Sequence, residues 1–199
     1  MFTGIVQELG IVNSVLETES GFSLEVKVQK GFSSGLLIGA SIAVNGCCLT
    51  VTKFDEDCIS FDVIKETMRI TNLDSLELRD LINLERSLKF GDEVGGHILS
   101  GHVSCTGEAI LENQEGETEL IIICPSEWRK YIILKGYVAV NGASLTVAKV
   151  SQEGFSIFLI PETLSSTNLS LIQKNGLVNI EIDQTTIAAF KAAETRLDG

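Results

Sequence analysis

Ala43-Val44-Asn45-Gly46-Cys47-Cys48-Leu49-Thr50-Val51 returns later in the chain as Ala139-Val140-Asn141-Gly142-Ala143-Ser144-Leu145-Thr146-Val147. The register around these stretches holds without a gap. Glu66-Thr67 returns as Glu162-Thr163, Thr71-Asn72-Leu73 as Thr167-Asn168-Leu169, and Asn83 and Glu85 as Asn179 and Glu181. Each pair keeps the interval that separates Asn45 from Asn141, so one unit of nearly half the chain is written twice. A period this long is not that of a solenoid, whose units run roughly 20–50 residues. Each unit instead has the size of a small domain able to bury its own core. Two such units, related by approximate two-fold symmetry, are suited to holding two similar ligands.

Within each unit the pattern is one of short strands. Phe22, Leu24, Val26 and Val28 alternate with polar residues, as do Leu120, Ile122 and Cys124, which is the period of a half-buried strand. Ser41 to Thr52 reads as strand, turn, strand. Its Asn45-Gly46 is the strongest two-residue hairpin signal, because both residues tolerate positive φ, and Asn141-Gly142 repeats it. Strands at this spacing predict a small closed barrel per half. Successive side chains on a strand alternate faces, so Leu49 and Val51 oppose Cys48 and Thr50, and Leu145 and Val147 oppose Ser144 and Thr146. Each half thus offers a small S–H or O–H group beside a threonine on one strand face. The bland alternative is that this is simply the solvated face of a barrel. A short helical turn is expected after Glu66 and after Glu162. Thr185 to Leu197 reads as a helix capped by Thr185 or Thr186, with Ile187, Phe190, Ala193 and Leu197 as its apolar stripe. Having no counterpart between the halves, it reads as an oligomerisation element, the alternative being a cap on its own second barrel.

The 199 residues carry a formal net charge of −12. This argues against nucleic acid, whose phosphates need clustered Lys and Arg. No apolar run is long enough for a membrane span, and the first residues lack the pattern of a signal peptide. Five cysteines, an odd number without metal-ligand spacing, predict reduced thiols in a cytoplasmic protein. The only two histidines, His97 and His102, lie at the junction of the halves. Five-residue spacing on a strand puts their rings on opposite faces, so no metal site is expected. Neither a nucleophile elbow nor a phosphate-binding glycine loop is present. Gly4-Ile5-Val6 and Gly101-His102-Val103 open the two repeats in equivalent places, one residue out of the main register.

Met1-Phe2-Thr3-Gly4-Ile5-Val6, Asn45-Gly46-Cys47-Cys48-Leu49-Thr50-Val51, Lys65-Glu66-Thr67, Gly96-His97-Ile98-Leu99-Ser100-Gly101-His102-Val103, Asn141-Gly142-Ala143-Ser144-Leu145-Thr146-Val147 and Ile160-Pro161-Glu162-Thr163, in this order, resemble the alpha chains of riboflavin synthase. The resemblance runs from the first residue to the last helix. It implies an all-β fold of two tandem, duplicated Greek-key six-stranded barrels plus a C-terminal α-helix. The expected boundaries are 1–96 for the first lumazine-binding barrel, 97–184 for the second and 185–199 for a trimerisation helix. It implies that two molecules of 6,7-dimethyl-8-ribityllumazine exchange a four-carbon unit, giving riboflavin and 5-amino-6-(ribitylamino)pyrimidine-2,4-dione. No external cofactor and no metal are implied. The implied partners are the substrate, two further copies of the chain in a homotrimer, and lumazine synthase in a larger complex. The productive site would join the first barrel of one subunit to the second barrel of a neighbour.

By the same resemblance, the first pocket comprises Cys48, Leu49, Thr50, the run Asp62-Val63-Ile64-Lys65-Glu66-Thr67, and Gly101, His102 and Val103. The second comprises Ser144, Leu145, Thr146, the run Phe158-Leu159-Ile160-Pro161-Glu162-Thr163, Gly4, Ile5, Val6 and Lys135. Glu66 and Glu162 would hold ribityl hydroxyls. Phe2, Cys48, His102, Ser144 and Thr146 would serve the chemistry, with Thr50 a further candidate. Catalysis would rest on positioning two electron-poor rings and stabilising an anion. Two other readings exist. A non-catalytic lumazine protein of the same fold would be expected to lose one pocket, and here both are intact. A flavin-reductase barrel would need a nucleotide domain for which the chain has no room.

Overall fold

The computed structural model describes residues 1–197. The first half contains β1 (Glu8–Thr18), β2 (Gly21–Lys27), β3 (Ser41–Val44), β4 (Cys47–Phe54), β5 (Cys58–Ile64), α1 (Lys65–Ile70) and β6 (Leu81–Arg86). Its strands close a barrel in the order β1-β2-β5-β4-β3-β6, all antiparallel, with the crossovers of a Greek key. The second half contains β7 (Cys105–Gln114), β8 (Glu117–Ile123), α2 (Ser126–Arg129), β9 (Tyr137–Val140), β10 (Ala143–Thr146), β11 (Lys149–Val150), β12 (Gly154–Leu159), α3 (Pro161–Ser166) and β13 (Gly176–Ile182), followed by α4 (Gln184–Leu197). Both turns expected after Glu66 and Glu162 are present, as α1 and α3.

The second sheet has seven strands where six are expected, in the order β10-β9-β13-β7-β8-β12-β11. The extra strand is a break, since β10 and β11 together occupy the repeat position of β4. In β4 the register slips between Val51 and Lys53. Val51 and Val147 both bond the loop before the preceding strand, Val51 at Ala40 and Val147 at Gly136, but Val51 also pairs with Phe61, whereas β11 first pairs with β12 at Lys149. A bulge in one half has become an interruption in the other, and β10 and β11 bracket the sheet so that it wraps into a second barrel.

Alternation fills each barrel. Leu24, Val26, Ile42, Ile59 and Phe61 are buried in the first, and Leu120, Ile122, Val138, Phe155 and Ile157 in the second. A smaller apolar cluster of Phe2, Ala43, Leu99 and Ala139 lies between them. The two Asn-Gly hairpins meet back to back. Asn45 and Gly46 have φ of 45° and 78°, and Asn141 and Gly142 have φ of 44° and 79°. A Cβ on Gly46 would stand 2.6 Å from the Gly142 nitrogen, so only glycine allows this approach.

Buried asparagines knit the contact symmetrically. Asn83 Oδ1 accepts from the Asn168 N–H at 2.7 Å, and its Nδ2 donates to the Asn141 carbonyl at 2.8 Å. Asn179 repeats this with the Asn72 N–H at 2.6 Å and the Asn45 carbonyl at 2.8 Å. The duplicated asparagines are thus the seam of the molecule, where buried polar groups are paired rather than left to desolvation.

The helix α4 departs from expectation in its cap and its packing. It starts at Gln184, and Asp183 caps it, accepting from the Thr186 N–H at 3.0 Å and the Thr185 N–H at 3.2 Å. Thr185 and Thr186, expected as caps, instead donate their hydroxyls to the same carboxylate. Ile187 packs against the second core, and Phe190 meets Tyr131 edge-on with ring centroids 5.5 Å apart. Two residues of the apolar stripe therefore rest on the chain's own second barrel. The Leu197 side chain lies outside the described residues. Among the described residues no helix is long and apolar enough to cross a membrane.

Candidate active site

Two straps cross between the barrels before each enters its own. The first, Met1 to Val6, leads into β1, and the second, His97 to Val103, leads into β7. They pair at one point, where the Phe2 N–H donates to Leu99 O at 2.9 Å and the Leu99 N–H donates to Phe2 O at 3.0 Å. Each strap then lies against the hairpin of the other half. The Ser144 N–H donates to Gly4 O at 2.8 Å, and the Cys48 N–H donates to Gly101 O at 2.9 Å. A Cβ on Gly4 would stand 2.5 Å from Ser144 Cβ, and one on Gly101 would stand 2.6 Å from Cys48 Cβ.

On the second barrel, Gly4, Ile5, Val6, Ser144, Leu145, Glu162 and Thr163 border a cavity of about 140 Å³. These come from three separate stretches assigned to the second pocket. Ser144 is half-buried and Thr146, Phe158, Ile160 and Pro161 are exposed. Lys149 places its ammonium 5.0 Å above the Phe158 ring. Lys135 is exposed and held at φ 64°, where its repeat counterpart is Gly39 at φ 86°. A lysine in the left-handed region is uncommon and carries backbone strain.

On the first barrel, Cys48 is half-buried, Thr50, Asp62, Ile64, Lys65 and Glu66 are exposed, and Thr67 is half-buried. His102 is exposed beside the strap glycine. The Arg69 guanidinium grips Glu66 at 2.7 and 3.0 Å and holds its carboxyl below the ordinary value. Glu162 instead accepts from the Ser166 hydroxyl at 2.8 Å, so the two glutamates differ in their ties.

The side chains of Leu49, Val63, Val103, Leu145 and Leu159 belong to the two cores. Phe2 is 1 % exposed and packs with Leu99 and Cys48 beneath the Gly101 strap. The adjacent cysteines divide as alternation requires. Cys47 is buried, and burial first, then Cys48 and Glu181, push its thiol up to about 12, whereas Cys48 stands on the outer face.

His97 is the partner the sequence reading passed over. Its Nδ1 lies 2.7 Å from Ser144 Oγ. The ring is 8 % exposed and stacks on Tyr137, with centroids 5.1 Å apart and planes 17° from parallel. Among the described residues its Nε2 is buried without a hydrogen-bond partner. Burial lowers the imidazole pKa from 6.5, against a smaller opposing pull from the charge of Asp183. The ring is therefore neutral at pH 7, with one nitrogen committed to the serine. In the tautomer that carries its proton on Nε2, a neutral imidazole bonded to a hydroxyl is a proton acceptor in place.

The lumazine binding domain family matches the chain twice, over residues 3–87 and 100–183. Riboflavin synthase of Escherichia coli (strain K12) is 43 % identical over 196 residues, covering 98 % of this chain and 92 % of that protein. Riboflavin synthase of Schizosaccharomyces pombe is 37 % identical over 200 residues, covering 99 % and 96 %. The chain belongs to the riboflavin synthase family. Among solved structures, LumP complexed with riboflavin superposes with a TM-score of 0.85 at 27 % identity, covering 92 % of this chain and all of that one. LumP complexed with 6,7-dimethyl-8-(1'-D-ribityl) lumazine gives a TM-score of 0.82 at 25 % identity.

In this riboflavin synthase family chain the two matched segments stop short of the straps' crossing. Residues 88–99, which hold His97, fall between them. His97 has no repeat counterpart, so the duplication that exposed the other site residues is silent about it. One sequence signal did point there, the pair Gly95-Gly96. A Cβ on Gly96 would stand 2.6 Å from Ser144 Cβ and 2.3 Å from Thr3 O, so the chain must be bare where it delivers His97.

Proposed function

We propose that the chain catalyses the dismutation of two molecules of 6,7-dimethyl-8-ribityllumazine to riboflavin and 5-amino-6-(ribitylamino)pyrimidine-2,4-dione. The observation that carries this reading is the exchange of straps. It gives two equivalent hairpins, each with a small polar side chain on its outer face and a strap glycine against it, and in the second half Glu162 and Thr163 border the same cavity as Ser144. One compound bound twice needs such a pair of seats.

The pockets are equivalent in frame and unequal in chemistry, which suits a reaction with distinct donor and acceptor. Ser144 has His97, and Cys48 has no histidine in the matching place because His97 is unrepeated. The proposed acid–base step uses this difference. Ser144 Oγ takes the acidic proton of a C7 methyl group as its own proton passes to His97 Nδ1, leaving a lumazine anion and an imidazolium. The anion carbon then attacks the neighbouring ring. Thr146 and Thr50 lie along the same faces and would hydrogen-bond the rings. Exposed His102 would assist at the first pocket, and Phe2 would set the height of the Cys48 strand from beneath. Glu66 and Glu162 would receive ribityl hydroxyls, with Lys135 at the mouth of the second pocket.

The same reading makes the chain a transferase of riboflavin biosynthesis in the cytoplasm. Its working form is a homotrimer that faces a first barrel with a neighbour's second barrel, and lumazine synthase is the partner that would supply its substrate. The functional units are the barrels at 1–96 and 97–184, with α4 completing the assembly. A binding-only reading is favoured by the superposition on LumP. Incubating the purified protein with the lumazine and following riboflavin absorbance separates the two. Riboflavin and the pyrimidinedione in equal amounts are expected, and tight binding without riboflavin would leave only the binding role.

A further inference from the structure

Glu85 and Glu181 are repeat partners that the proposed chemistry does not use, and each is 3 % exposed. Among the described residues neither makes a salt bridge. Glu85 on β6 accepts from the Thr3 N–H at 2.6 Å and the Thr3 hydroxyl at 2.7 Å through one oxygen, and from the Gly4 N–H at 3.0 Å through the other. Glu181 on β13 repeats the arrangement with the Ser100 N–H at 2.7 Å, the Ser100 hydroxyl at 2.7 Å and the Gly101 N–H at 3.0 Å. The residue gripped in each case is the glycine strap, or its immediate neighbour. That glycine's carbonyl receives the Ser144 N–H in one half and the Cys48 N–H in the other. The route therefore crosses. A carboxylate of the first barrel reaches the hairpin of the second through Gly4, and a carboxylate of the second reaches the hairpin of the first through Gly101.

A carboxyl group that is buried without a counter-ion is costly unless hydrogen bonds satisfy it. Burial raises the carboxyl pKa of both residues, opposed by the strap bonds and, at Glu181, by the nearby His102. That cost recurs at both repeat positions, and in both it is spent on the same strap atoms.

We propose that Glu85 and Glu181 are positioning residues that act crosswise, each carboxylate fixing through its strap the polar side chain in the other barrel's pocket. The inference rests on the reading of Ser144 and Cys48 as pocket residues.

The test uses Glu85→Gln and Glu181→Gln in the full chain, titrated with riboflavin. The backbone amide signals of Ser144 and Cys48 report the two pockets separately by NMR. An amide side chain turns a donor toward one of the strap donors. A hydrogen bond to a charged group is worth about 1.5–3 kcal/mol, which corresponds to roughly tenfold or more in affinity. E85Q is expected to weaken binding about tenfold at the Ser144 signal and leave the Cys48 signal within about twofold. E181Q is expected to do the reverse.

Equal losses at both signals, or a loss confined to the substituted residue's own barrel, would overturn the crossed role and leave these glutamates as general supports. Wild-type protein whose Ser144 and Cys48 signals ignore riboflavin would remove the pockets themselves, a failure of the earlier reading visible before any variant is made. Should the glutamine variants not fold, Thr3→Ala and Ser100→Ala each delete one hydroxyl donor and keep the carboxylate. They should give the same crossed pattern at about threefold, the scale of one modest hydrogen bond, and an uncrossed pattern there counts equally against the proposal.

Discussion

At the scale of single residues, the proposed chemistry turns on one contact, His97 Nδ1 to Ser144 Oγ at 2.7 Å. A positioned base contributes about 10²–10⁴-fold, so His97→Gln and Ser144→Ala should each lower the single-turnover rate of riboflavin formation by about a hundredfold or more. Lumazine affinity should change little. The double variant should be scarcely slower than either single one, because the two act as a unit. Additive losses in that double-mutant cycle would break the pairing. The same burial gives His97 a pH signature. An unfolded imidazole takes up a proton below about pH 6.5, whereas the native ring, its pKa lowered, resists it. Stability is present in full above about pH 6.5 and is lost as pH falls from there through the lowered native value. Denaturant midpoints of His97→Gln should lack that part of the decline. Residues seen twice in the sequence, such as Cys48 and Ser144, were legible because alternation after an Asn-Gly turn fixes their face. His97 was not legible because it occurs once, and its importance comes from a strap crossing that no local pattern encodes.

At the scale of elements, the hairpins, strands and short turns followed from periodicity and turn chemistry. The split of β10 from β11 did not, because it rests on cross-strand pairing: Val51 still pairs with Phe61, whereas β11 first pairs with β12 at Lys149. The asparagine seam was visible as repetition and invisible as contact. Each copy needs the other half to supply its partners. Replacing Asn83 by Ala strips the Asn168 N–H and the Asn141 carbonyl of buried partners. A loss of about 2–4 kcal/mol in urea unfolding is expected, given roughly 1–3 kcal/mol per stranded group. A loss below about 0.5 kcal/mol would mean that water replaces the amide. The helix α4 makes a second prediction at this scale. Its Ile187 and Phe190 rest on the second barrel, so its proposed assembly role must use the rest of its surface. Truncation before Thr185 should give monomers with lumazine binding retained, much reduced turnover and a less stable second barrel. A truncated chain that still sediments as a trimer would assign the helix to capping alone.

For the whole molecule, duplication is the organising fact, and the sequence displayed it across both halves. What duplication left open is how the two proposed seats come to face each other. Cys48 and Ser144 both stand on outer barrel faces, each covered by a strap from the other half, and the proposed reaction brings a first barrel of one chain to a second barrel of another. Mixed trimers test this most directly. Thr67→Trp should block the first pocket and Thr163→Trp the second, so trimers of either variant alone should be inactive. If the site is shared between chains, reassorting equal amounts of the two should restore about a quarter of the wild-type rate, the share of junctions that pair two open pockets in a random cyclic trimer. Mixed trimers verified by mass that remain inactive would contradict the shared site.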